Sequence, residues 1–231
     1  MSIEFGAFTL AASTAELSEE PKARKEADCV EFRMDLAADP RETLREYDGE
    51  LPLLVTNRAA YEGGAAESDE RLADLGRALE HDAVGAIDIE LAALEADGNE
   101  GTEARELVDR AAELGVSVVV STHDFDRTPP RAALKRSLRR ADEYGDVGKL
   151  AVTAESGTDA LAVLSVTEEL TRAGLSVATM AMGEAGRHTR AVAPVYGSKI
   201  GYAPVDPENA TAPGQYDLRT LRGLVDSLTS R

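Results

Sequence analysis

Residues 102–122 read TEARELVDRAAELGVSVVVST. The charged, Ala- and Leu-rich half, 102–114, predicts a helix. Thr102 stands at its start, with Glu103 in the first turn, where capping residues and acids are favoured. Gly115 falls where a helix C-terminal glycine is expected. The β-branched run that follows, 116–122, predicts a strand. The same alternation extends outward in both directions. Strand-like runs occupy 8–13, 29–36, 51–57, 86–91, 116–122, 147–153, 175–182 and 198–203, and helix-like segments include 68–81, 102–114, 130–144 and 158–173. Ser68 precedes acidic residues at one helix start, and Gly174 follows another helix as Gly115 does. Eight strands, each followed by a helical stretch, point to an α/β fold of the (β/α)8 TIM-barrel type rather than an open sheet. Neither GxGxxG nor GxxxxGK[ST] occurs, so a doubly wound nucleotide-binding fold has no support. With no long linker or low-complexity stretch, residues 1–231 read as one barrel domain.

The chain has 43 acidic residues against 25 basic ones, a formal net charge of −18. Such a surface repels nucleic acid and anionic membranes, so neither is expected as a partner. Disorder is not the reading, because 43% of the residues are hydrophobic. Adaptation to a salty cytoplasm fits better: near 1 M salt the Debye length is about 3 Å, and self-repulsion is largely screened. Aromatics are only 4% and Trp is absent, so the core must be built from Ala, Val, Leu and Ile. The single cysteine, Cys29, allows no internal disulfide and no thiolate metal site. The first ten residues lack a basic n-region, and no apolar run approaches the roughly 18 residues of a membrane span. A soluble, cytoplasmic protein is the expectation.

Several strand-like runs carry charge where a buried barrel strand should be apolar on both faces. In 29–36, Glu31, Arg33 and Asp35 share one face by two-residue alternation, leaving Val30, Phe32 and Met34 on the other. Either that face is solvated, or the three ionisable groups pair around a ligand. The third run ends in Thr56, Asn57 and Arg58 and leads to Glu62-Gly63-Gly64, a loop able to approach a ligand closely. Asp88 and Glu90 again put two carboxylates on one strand face, a pattern that fits structural pairing with barrel arginines. Of three histidines, His81 reads as a helix-end cap and His188 lies in a polar loop. His123 ends the fifth strand, at the rim where barrel active sites lie. Lys149 interrupts an apolar strand. Burial there would lower its pKa from the ordinary value of about 10.4 and free a nucleophilic amine, while an ion pair to Glu31 or Glu90 is the structural alternative.

Together these residues resemble the type I 3-dehydroquinate dehydratases. The resemblance is carried by Glu-Phe-Arg-Met-Asp at 31–35, Thr-Asn-Arg at 56–58 with Glu62-Gly63-Gly64, and Ile-Asp-Ile-Glu at 87–90. It continues through Ser-Thr-His-Asp-Phe at 121–125, Gly-Lys-Leu-Ala-Val at 148–152 and Ala-Pro-Gly-Gln at 212–215, in the family's order. It implies a metal-free, cofactor-free lyase of the shikimate pathway. Lys149 would form an imine with the ketone of 3-dehydroquinate, His123 would move the proton, and Glu62 would orient His123. By the same resemblance Arg190 would pair with the substrate carboxylate. Glu31, Arg33, Arg58, Thr211 and Gln215 would contact its hydroxyl and carboxylate groups, with Ser13 a weaker match. A homodimer is implied as well.

The chemistry agrees with those roles. An iminium is an electron sink that acidifies the neighbouring C–H, and an imidazole with a pKa near 6.5 can take and return that proton. Arg33, Arg58 and Arg190 would hold Lys149 partly neutral by like charge and form a positive well for an anionic substrate. The chain departs from the family pattern at Thr189, Thr211, Tyr202 and Gly148, without loss of a chemical role. Another Schiff-base barrel lyase, such as an aldolase, is the nearest alternative, and an inert barrel-shaped binding protein a more distant one. The stretch 200–211, with Pro204 and Pro207, is a candidate lid.

Overall fold

A computed structural model describes residues 2–66, 70–209 and 214–229. Ser68, Thr211 and the Ala212-Pro213 pair lie outside the described residues. Eight parallel strands form the wall: β1 (Thr9–Thr14), β2 (Cys29–Arg33), β3 (Leu53–Thr56), β4 (Val84–Glu90), β5 (Ser117–Asp124), β6 (Val147–Thr153), β7 (Val177–Met182) and β8 (Ile200–Pro204). From β1 to β7 each strand pairs in parallel with the next in sequence, with a register shift between Leu53 and Leu54 in the β3–β4 pairing, and β1 pairs with β8. At the seam, Lys199 N donates to Val177 O at 2.7 Å, and Thr179 N donates to Ser198 Oγ at 3.0 Å. The barrel is therefore nearly closed.

The helical ring is uneven. It comprises α1 (Glu20–Ala23), α2 (Pro40–Arg45), α3 (Arg71–Ala78), α4 (Leu91–Leu94), α5 (Asn99–Leu114), α6 (Arg131–Asp142), α7 (Gly157–Arg172), α8 (Thr189–Val192) and α9 (Leu218–Thr229). All eight expected strands are present, and β6 has the expected bounds. Three local expectations need correction. First, α5 begins at Asn99, so Thr102 lies inside it and donates to Gly98 O at 3.0 Å instead of capping it. Second, β2 ends at Arg33, and Met34–Leu36 turns as a 3-10 helix. Asp35 therefore leaves the strand face and binds Arg33 bidentately, at 2.9 and 2.7 Å. Third, His81 lies beyond the end of α3, where its Nδ1 accepts from Ala83 N.

Strand alternation builds two kinds of core from small and aliphatic side chains. Ala11, Cys29, Leu54, Ala86, Val119, Val147 and Ala178 point into the barrel and are fully buried. Val30, Phe32, Val55, Ile87 and Val120 point outward under α3 to α5, while Leu150 and Val152 meet Leu134, Leu138 and Leu170 of α6 and α7. Burying each Val, Leu, Ile or Phe side chain among them contributes about 1.5–3 kcal/mol. Ile3 and Phe5 of the N-terminal segment join the interior cluster, and Ser117 Oγ donates to Ile3 O at 2.9 Å. Gly148 lets α6 lie close to β6: a Cβ there would stand 3.2 Å from Leu138 O.

Candidate active site

The charged positions on the strands converge at the C-terminal ends of the barrel. Inward alternation carries Glu31, Asp88, Ser121 and Lys149 to the upper layer of the interior, and all four are buried. They share a network. Lys149 Nζ lies 2.9 Å from Asp88 Oδ2 and 3.9 Å from Glu31 Oε1, and it sits over the Tyr202 ring, 4.3 Å from the centroid. Ser121 Oγ donates to Asp88 Oδ1 at 2.6 Å and accepts from Arg58 Nη1 at 2.6 Å. Arg58 also pairs with Asp88 at 2.7 Å and with Glu90 at 3.1 Å. Glu90 in turn binds Arg71 at 2.7 Å and accepts from Ala59 N at 2.9 Å. Burial would raise the Asp88 carboxyl, but Arg58 and Lys149 outweigh it and hold the group well below the usual carboxylate range.

Above this layer, His123 Nδ1 and Glu62 Oε2 are 2.8 Å apart. His123 comes from the end of β5. Glu62 comes from the turn after β3, where Gly63 at φ 77° takes a left-handed conformation suited to glycine. Burial, followed by the positive charges of Arg58 and Lys149, pushes the His123 imidazole well below its ordinary pKa. The histidine thus starts neutral, rather than poised near 6.5 as its type suggests. Burial also raises the Glu62 carboxyl to about 7, with Arg58 opposing the shift and Glu90 and Asp88 reinforcing it.

A cavity of about 520 Å³, counting its open mouth, connects the two layers. Its lining includes Lys149, His123, Glu62, Glu31, Arg33, Arg58, Arg190 and Gln215, eight of the ten residues singled out from the sequence. Ser13 is buried beneath it and is not part of the lining: its hydroxyl donates to Glu31 Oε2 at 2.5 Å, while Thr56 donates to Oε1 at 3.1 Å. Thr211 lies outside the described residues. Arg190 is buried against Met180, with Nη1 3.7 Å from Sδ, and burial lowers its pKa to about 10.

Two expectations shift. Of the two ion partners weighed for Lys149, Glu31 lies 3.9 Å from Nζ, while Asp88, closer at 2.9 Å, takes the place expected of Glu90. Arg33 and Arg58 are themselves paired, with Asp35 and with Asp88 and Glu90, so neither is a bare positive charge. Asp88 and Glu90 pair with the barrel arginines Arg58 and Arg71, as their place on one strand face suggested, but the second role of Asp88, beside Lys149, had not been read. Its signal was present, since a carboxylate between two isoleucines in a buried parallel strand requires a cationic partner. Thr56, Phe125, Met180 and Met182 also line the cavity and had not been singled out as contacts.

Comparison with known proteins agrees with this geometry. The family model for type I 3-dehydroquinase matches residues 8–230. A Haloarcula marismortui protein named 3-dehydroquinate dehydratase is 58% identical over 229 residues, covering 99% of both chains. One of the same name from Halobacterium salinarum is 51% identical, covering 98% of this chain and 100% of the relative. The solved 3-dehydroquinate dehydratase of Geobacillus kaustophilus superposes with a TM-score of 0.82 at 29% identity, covering 98% of this chain and 93% of that one. On a family match spanning nearly its whole length, and on relatives identical at more than half of their positions, this chain belongs to the type I 3-dehydroquinase family.

Proposed function

We propose that the protein is a 3-dehydroquinate dehydratase that converts 3-dehydroquinate to 3-dehydroshikimate and water through an imine on Lys149. The observation that carries the mechanism is one cavity lined by a buried lysine amine and by a histidine–carboxylate pair. The Lys149 ammonium gives one proton to water and adds as the amine to the substrate ketone; the carbinolamine hydroxyl then takes a proton back from that water and leaves as water, giving the iminium. His123 removes the proton from C2, and the electron pair moves toward the iminium nitrogen. The C1 hydroxyl then leaves as water, taking the proton from His123. Hydrolysis of the imine returns the amine and releases product. Each step leaves its protons on a named group or on water.

Asp88 has a clear part in this sequence. The resting ammonium and the iminium are both cations at the same atom, and a carboxylate 2.9 Å from Nζ stabilises each of them. The face of Tyr202 adds a weaker attraction. Glu62 orients His123 and favours its protonated form during transfer, as a carboxylate does in a catalytic triad. Arg190 takes the substrate carboxylate, while Glu31, Arg33, Arg58, Gln215 and Thr211 contact its remaining polar groups, with Ser13 acting through Glu31. The enzyme works as a homodimer in a salt-rich cytoplasm. Among the described residues no helix is long and apolar enough to cross a membrane.

The test is substrate choice. Dehydroquinate should yield the ultraviolet-absorbing enone, and sugar phosphates should not be cleaved. Cleavage of a sugar phosphate without enone formation would transfer the chain to the aldolase-type reading.

A further inference from the structure

Phe125 has no polar chemistry of its own, yet it is 44% exposed at the mouth of the catalytic cavity, where a large apolar ring is costly to leave in water. Its placement is tightly specified. The ring lies nearly parallel to that of His123, at 13°, with the centroids 6.1 Å apart. Its edge rests on Gly63, where an added Cβ would come within 2.3 Å of Phe125 Cε2. Gly63 directly follows Glu62, so one ring touches the turn that carries the carboxylate and flanks the imidazole. The backbone beneath the ring is fixed as well. Thr153 Oγ1 donates to Phe125 O at 2.8 Å, and Thr128 Oγ1 donates to Thr153 O at 2.7 Å. Asp124 Oδ1 accepts from Asp126 N and Arg127 N at 3.0 and 2.9 Å, closing a turn over the next residues.

We propose that Phe125 is a positioning residue whose ring closes the water side of the His123–Glu62 pair, keeping the imidazole dry and the two groups in register. The proposal rests on the reading of His123 as the proton carrier. The charges that act on His123 come from several elements: Arg33 on β2, Arg58 and Glu62 after β3, Asp88 on β4 and Lys149 on β6. Removing the ring hydrates the imidazole and deletes no charged group, and hydration favours the cationic form. Burial is the largest influence holding His123 low, so its pKa rises when the cover is lost.

The experiment is an NMR titration of the histidine ring protons in concentrated KCl, with His123 assigned by its loss in His123→Ala. The pH profile of kcat/KM is recorded alongside. In Phe125→Ala, His123 should titrate about one unit higher than in the wild type, and the acid limb of kcat/KM should move with it. Phe125→Leu, which keeps an apolar cover, should stay near the wild type. Unchanged titrations of His81 and His188 show that the fold is intact. A Phe125→Ala protein whose His123 titration and acid limb match the wild type overturns the proposal, while an inactive His123→Ala leaves the proton-carrier reading standing. Retention of activity in His123→Ala overturns that reading instead.

Discussion

Lys149 and Asp88 stand on β6 and β4, separated in the barrel wall by β5, and meet in the interior with Nζ 2.9 Å from Oδ2. The contact fixes where the amine can point, and it places a negative charge beside an atom that is cationic before and after imine formation. Arg58 and Ser121 hold the other carboxylate oxygen, so Asp88 cannot swing away.

Asp88→Asn should therefore cost both stability and rate. Breaking a buried pair typically costs 3–5 kcal/mol, and loss of about 2 kcal/mol of iminium stabilisation lowers kcat roughly 30-fold. Because the folded pKa of Asp88 is depressed, its contribution is fully present above the ordinary carboxylate pKa and is lost as pH falls toward the folded value. In chemical denaturation the gap between wild type and variant should hold from neutral pH down to about 4, then narrow at lower pH. A gap that does not change with pH below that point would contradict this account of Asp88.

Glu62 shows the opposite sign. Its folded pKa of about 7 exceeds the ordinary 4.5, so its effect is favourable to the folded state below 4.5 and is lost as pH rises toward 7. The resulting penalty at pH 8 is on the order of 3 kcal/mol. Glu62→Gln should lower kcat by about 10- to 100-fold yet melt at a higher temperature than the wild type at pH 8, with the difference disappearing near pH 4. A variant less stable at pH 8 would show that the carboxylate is not strained there.

Arg190→Lys keeps the charge but loses the planar fork that grips a carboxylate. KM for dehydroquinate should rise about tenfold or more with kcat within a few-fold of wild type, since binding rather than proton transfer is affected. A large fall in kcat at unchanged KM would remove Arg190 from the carboxylate site.

The net charge of −18 makes the fold self-repelling in dilute buffer. Raising KCl from 0.1 to 2 M shortens the Debye length from about 10 Å to roughly 2 Å, and the melting temperature should rise by on the order of 10 °C. Full stability at low salt would contradict the salt-adapted reading.

The barrel was legible because each strand is a short apolar run bounded by turn residues, and β6 matches its expected span residue for residue. Where the reading failed, hydrophobicity misled. Met34 and Leu36 extend the apolar pattern of β2, although the chain has already turned at Arg33. Ser13 was singled out only by resemblance, and what the sequence did not show is that parallel register sets it opposite Glu31, to which its hydroxyl donates. Lys149 was recognisable as a charge in an apolar strand. Its partner was not, because Asp88 lies 61 residues away and only closure of the barrel brings the two together. The same closure explains Ile3 and Phe5, which carry no local sign that they complete the interior core.

The most direct test of the imine on Lys149 is borohydride reduction in the presence of dehydroquinate, followed by mass spectrometry of the peptides. The mechanism predicts one substrate-derived adduct per chain, located on Lys149 and absent from Lys149→Ala. An adduct on another lysine, or one that persists in Lys149→Ala, would contradict it.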